Sequence, residues 1–153
     1  MLQDKLNILV IDDEPDVVSY LSMFLSDEGF KVVTAPDGPR GLAAARAEKP
    51  DLITLDLQLP GEWGPRFYRK LRKDKELKDT PVVVVSGIDG DHAVKDAVAF
   101  VKKPFEEVKR LRPYEPVPML LTAFASAGSK CVKMNLVKSL KVSFFNTETA
   151  TIL

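Results

Sequence analysis

The sequence predicts a doubly wound α/β domain, and three observations carry that reading. Short, almost continuously apolar runs stand at residues 6–11, 52–55 and 82–85, as strands buried on both faces of a parallel sheet require. Segments with helical spacing lie between those runs. Polar residues able to do chemistry sit where the runs stop, which is where ligands gather in such sheets.

The elements follow in order. After the first run, Pro15 suits the opening turn of a helix whose apolar face is Val17, Val18, Leu21, Phe24 and Leu25, with Gly29 as its stop. Residues 31–35 read as a weaker strand. Residues 41–46 are rich in good helix formers and are closed by Lys49-Pro50. The run at 52–55 leads into a turn, Gln58-Leu59-Pro60-Gly61, and then a third helix that Pro65 opens and that carries Phe67 and Leu71 four apart. Residues 91–96 make a short, poor fourth helix, 98–102 a weak fifth strand and 105–111 a short fifth helix. Alternating strands and helices imply right-handed βαβ units over about residues 5–111.

Beyond residue 111 the character changes. Pro113, Pro116 and Pro118 form a stiff linker over 112–118. In the extension 119–153, Val132, Leu136, Leu140 and Phe144 repeat every four residues as in a helix, while Leu140, Val142 and Phe144 alternate as in a strand, and the two readings stay open. A piece this short rarely folds alone, so it is expected to pack on the preceding domain, pair with another chain or stay disordered, and it is too small for a typical output domain.

Composition narrows the function classes. The 153 residues hold 22 Lys+Arg against 22 Asp+Glu, so charge gives no argument for nucleic acid or an anionic membrane. The single cysteine, Cys131, allows no internal disulfide and is read as a buried, unreactive thiol in a reducing compartment. The N-terminus lacks the pattern of a secretory signal and no apolar run is long enough to span a bilayer. A cytoplasmic protein is expected.

The strand ends carry the chemistry: Asp12-Asp13 after the first strand, Asp56 after the third, Ser86 after the fourth, and Lys102-Lys103-Pro104 after the fifth. Carboxylates crowded at one sheet edge repel one another, and hard oxygen donors of this kind suit Mg²⁺. A lysine adds a permanent positive charge, so the edge can admit a phosphoryl donor. Asp56, ending a buried strand, is the candidate nucleophile, its carboxylate attacking phosphorus to give an aspartyl phosphate.

Four blocks, running from Ile8 through Asp12-Asp13-Glu14-Pro15, from Asp51 through Asp56 to Pro60-Gly61, from Val82 to Gly87, and over Lys103-Pro104-Phe105, resemble the signature blocks of the response-regulator receiver family in the right order, over roughly residues 6–111. The resemblance implies a CheY-like, flavodoxin-like five-stranded parallel sheet in the order 2-1-3-4-5. It makes residues 1–111 the receiver domain, with Asp56 the phosphoacceptor and Asp12 and Asp13 the acidic pair that holds Mg²⁺ together with Asp56 and the Gln58 backbone carbonyl. Asp13 is the expected direct ligand of the pair. Ser86 would turn toward the phosphoryl group, Lys103 would bond it and be joined to Pro104 by a cis peptide bond, and Phe100 would swing inward on activation. The family reading further implies a sensor histidine kinase or phosphotransfer protein as donor and a downstream protein target. It implies no output enzyme, no direct nucleic-acid contact and no membrane.

Plainer readings stand beside these. Asp12-Asp13 could open a helix, Ser86 could be an ordinary turn serine, and Phe100 could fill the core. Trp63 is read as half packed against the third helix, and His92 and Lys102 as solvated. The chain also departs from the family pattern: only 17 positions separate Ser86 from Lys103, about a helical turn fewer than expected. The fourth helix should be shortened, and the fifth is cut by Pro113. An unphosphorylated receiver-like interaction module is therefore the alternative function. A Mg²⁺-dependent phosphohydrolase is less favoured, because no acid or base neighbours Asp56, and a nucleotide domain lacks its Gly-rich loop.

Overall fold

The structure is a computed structural model that describes residues 5–103. The expectations for the Lys103–Pro104 bond, the fifth helix, the linker, the extension and Cys131 lie outside the described residues.

Five strands build one parallel sheet: β1 (Asn7–Ile11), β2 (Lys31–Ala35), β3 (Leu52–Leu55), β6 (Val82–Ser86) and β7 (Ala99–Lys102). Their spatial order is β2-β1-β3-β6-β7, which is the expected 2-1-3-4-5 once the five are counted alone. Every residue of β1, β3 and β6 is buried, so the continuous apolar runs mark the central strands. The edge strand β2 is more exposed, and its run was correspondingly weaker. Registers pair Ile8 with both Val32 and Leu52, and Leu55 with Val84.

Two apolar layers sandwich the sheet. One joins Ile8, Val10, Val83, Val85 and Val101 to Leu21 and Leu25 of α1 (Pro15–Asp27). The other joins Leu9, Ile11, Ile53, Leu55 and Val84 to Ala45 of α2 (Gly38–Glu48) and to Phe67, Tyr68 and Leu71 of α3 (Gly64–Lys73). Helix α1 has Pro15 in its first turn with Asp16 at the positive end of the dipole. Helix α2 is capped by Asp37, whose carboxylate accepts from the Arg40 N–H at 2.8 Å. It stops on Lys49 in the left-handed region, at φ 44°.

The turn after β3 and the shortened fourth helix take forms more specific than the expectation. The turn after β3 is a miniature hairpin, β4 (Gln58–Leu59) against antiparallel β5 (Glu62–Trp63). Gly61 supplies the positive φ of 72° that closes it. Its last residue, Trp63, is 57% exposed rather than half packed on α3. The fourth helix is reduced to one 3₁₀ turn, Asp91–Ala93. Residues 87–98 must bridge two parallel strands, and once both loops are made no length is left for several α turns. Val94 is buried in the second apolar layer, so one side chain of this short crossover covers sheet that a longer helix would otherwise cover.

Candidate functional site

The carboxyl ends of β1, β3, β6 and β7 bring Asp12, Asp13, Asp56, Ser86 and Lys103 to one edge of the sheet. Asp56 follows β3 directly and is 2% exposed. Its backbone N–H donates to the Ile11 carbonyl at 2.9 Å, which continues the ladder by one residue and fixes the side chain beside β1. Behind it, the first residue of α3 lies against the chain: the Gly64 N–H donates to the Leu57 carbonyl at 2.9 Å. A Cβ at Gly64 would run into Leu57 Cα and sit 2.8 Å from the Asp56 carbonyl oxygen. Only glycine lets α3 start this close to the backbone that carries Asp56.

The Asp56 carboxylate is held at both oxygens. Oδ1 accepts from the Gln58 N–H at 3.1 Å and from the Ser86 hydroxyl at 2.9 Å, and Oδ2 faces Lys103 Nζ at 3.3 Å. Ser86 is fully buried at the end of β6, and Lys103 is buried just past β7, its backbone N–H bonded to the Ser86 carbonyl at 2.9 Å. Lys102, one residue earlier, points the other way and pairs at the surface with Asp89 at 2.9 Å. Strand alternation thus picks Lys103 over its neighbour, as the sequence suggested.

Asp12 is buried and Asp13 exposed. Asp12 Oδ1 accepts from the Glu14 N–H at 2.9 Å, while Oδ2 meets Lys103 Nζ as an ion pair at 2.7 Å. Burial pushes the Asp12 carboxyl above the usual carboxylate range, with the Asp56 charge adding to it, against the hydrogen bonds from Lys103 and Glu14. Burial works against the Lys103 ammonium as well, but its hydrogen bonds to Asp12 and Glu14 and the charges of Asp12 and Asp56 outweigh that and raise its pKa.

Glu14 is the site residue that sequence reasoning passed over. Its Oε1 lies 2.7 Å from Lys103 Nζ. The only signal was its place directly after Asp12-Asp13, at the mouth of the same strand. Phe100 stands on β7 opposite Val84, partly buried against the second apolar layer, away from the carboxylates in register but on the same strand as the approach to Lys103.

One carboxylate oxygen from each of Asp12, Asp13 and Asp56 lies within 4.8 Å of the others. The donor set is all hard oxygen, and the buried Asp12 Oδ2 is held by the Lys103 ion pair. These residues fit a small divalent cation such as Mg²⁺, which takes few protein carboxylates and keeps waters.

The sequence matches the family model described as "Response regulator receiver domain" over residues 8–112. The chain belongs to the response-regulator receiver family. Among relatives, it is 38% identical to Protein Rrf1 of Nitratidesulfovibrio vulgaris, over 66% of this chain and 74% of Rrf1. It is also 38% identical to the DNA-binding response regulator MtrA of Mycolicibacterium smegmatis, over 69% of this chain but 48% of MtrA. The chain thus spans most of the first relative and about half of the second. Among solved structures, the receiver resembles the response regulator TrrA of Thermotoga maritima in complex with Mg²⁺ and BeF, with a TM-score of 0.59 and 30% identity over 69% of this chain and 94% of that one. The receiver is a signalling domain, and its flavodoxin-like sheet agrees with the order read from the family resemblance.

Proposed function

We propose that this receiver accepts a phosphoryl group on Asp56 from a histidine kinase or a phosphotransfer protein, with Mg²⁺ held by Asp12, Asp13, Asp56 and the Gln58 backbone carbonyl. The observation that carries the reading is the surround of Asp56: a buried carboxylate with a hydroxyl at 2.9 Å, an ammonium at 3.3 Å and two further carboxylates beside it. A nucleophile so placed can form an oxygen–phosphorus bond as the bond from phosphorus to its donor atom breaks. The cation, when bound, neutralises charge on the transferring oxygens. Lys103 and Ser86 are then the nearest donors to the new phosphoryl oxygens, and the chain needs no separate enzyme for the transfer.

Addition of up to two negative charges and three acceptors would draw Ser86 and Lys103 toward the phosphoryl group. Phe100, on the strand that leads to Lys103, would move into the space released, and the shifted population would be read through protein contacts with a downstream target. A cytoplasmic setting fits a histidine kinase as donor, and among the described residues no helix is long and apolar enough to cross a membrane.

The single 3₁₀ turn between β6 and β7 favours a second reading, an unphosphorylated interaction module, because the family's usual output face is altered there. Intact mass after incubation with Mg²⁺ and acetyl phosphate separates the two. One phosphoryl adduct, dependent on metal and absent from Asp56→Asn, supports phosphotransfer. A folded chain that takes no adduct supports the interaction module.

A further inference from the structure

Lys103 has more partners than the receiver chemistry requires. Its ammonium meets Asp12 Oδ2 at 2.7 Å and Glu14 Oε1 at 2.7 Å, and Asp56 Oδ2 at the longer distance of 3.3 Å. Phosphoryl transfer to Asp56 needs that ammonium turned toward the incoming oxygens, where its charge offsets theirs. The two shorter contacts compete with this. Asp12 is one of the carboxylates that would hold a cation, which would weaken the first of them. Glu14 lies outside the group of carboxylates that could share the cation, so its hold on Lys103 persists.

The Glu14 side chain is placed to compete in this way. The residue is the N-cap of α1, yet its carboxylate caps none of the helix N–H groups. It reaches instead to a lysine 89 positions away. The helix start retains the positive end of its dipole, where a displaced carboxylate can settle at little cost. Glu14 is also 58% exposed, so the pair is weak and reversible.

We infer that Glu14 is a positioning residue that competes for the Lys103 ammonium, holding it more closely than Asp56 does and back from the incoming phosphoryl oxygens, and so slows formation of the aspartyl phosphate. The inference rests on the reading of Asp56 as phosphoacceptor. It assigns Glu14 no contact with the reacting atoms; it acts through Lys103.

The test is the rate of adduct formation from acetyl phosphate with Mg²⁺, followed by intact mass in the full chain, for wild type, Glu14→Gln and Asp16→Asn. Asp16 is exposed in the first turn of the same helix, so its replacement removes a neighbouring charge without touching Lys103. Glu14→Gln should accelerate adduct formation about two- to fivefold, the range of a half-exposed ion pair. The gain should fade toward one as salt approaches about 1 M, where such pairs are screened. Asp16→Asn should stay at the wild-type rate. Equal or slower reaction in Glu14→Gln, a gain indifferent to salt, or the same gain in Asp16→Asn overturns the inference while the phosphoacceptor reading stands. Absence of any adduct on the wild-type chain overturns that reading, and the inference with it.

Discussion

Ser86 and Asp56 are joined across neighbouring strands by one hydrogen bond, the hydroxyl donating to Oδ1 at 2.9 Å where both side chains are buried. A carboxylate in that position depends on its donors. Ser86→Ala should lower the unfolding free energy by about 1–3 kcal/mol, measured by urea titration, whereas Ser86→Thr keeps the hydroxyl and should lose less. Equal midpoints for the alanine variant and wild type would mean the bond contributes nothing to the metal-free fold.

Gly61 and Gly64 are three residues apart but serve different ends. Gly61 needs its φ of 72° and has open space around a Cβ, whereas Gly64 has backbone in the way. Gly61→Ala should cost about 1–2 kcal/mol of stability through strain and leave phosphoryl uptake intact. Gly64→Ala should cost about 1–3 kcal/mol through overpacking and also slow uptake, since the atoms it displaces include the Asp56 carbonyl. Equal uptake by the two variants would separate α3 from the site.

Mg²⁺ should raise the thermal midpoint of the wild-type chain, by linkage to the folded state. At a free concentration of 100 times Kd the gain is about 2.7 kcal/mol. Because Asp13 is exposed, Asp13→Asn should remove most of this metal-induced shift without lowering the metal-free midpoint. A chelator should reverse the shift in wild type. A full shift in the variant would put the cation elsewhere.

Asp74 supplies a pH test remote from the site. The Arg46 guanidinium, hydrogen-bonded to it at 2.9 Å, and the Glu76 N–H at 3.0 Å hold its carboxyl below the usual range. A depressed folded pKa contributes stability above the unfolded value of about 4 and loses it as pH falls through the lower folded value. Asp74→Asn should therefore melt below wild type at neutral pH, and the gap should close in acid. A gap that is constant with pH would show that the charge is immaterial.

Much of this architecture could be read in advance, for a physical reason. Central strands buried on both faces leave unbroken apolar runs, and the residue that ends each run must be the one that reaches the sheet edge, as Asp12, Asp56 and Ser86 do. Lys103 over Lys102 followed from alternation. What escaped was what has no local period. The β4–β5 pair is two residues a side, too short to show alternation. The Glu14–Lys103 contact joins residues far apart in the chain, and an acidic residue at a helix start has a sufficient local explanation. The fourth crossover was expected to be short, and within residues 87–98 it keeps a single 3₁₀ turn, a detail that depends on how the segment spans two strands and not on its local period.

Trp63 is the chain's sole tryptophan. It stands at the N-cap of α3, one residue before the glycine that rests on the Asp56 backbone. Indole fluorescence from this protein therefore originates at one point, in contact with solvent and tethered to the edge where the carboxylates gather. The molecule carries its own optical probe, and titrations of cation or phosphoryl donor can be followed by emission without attaching a dye.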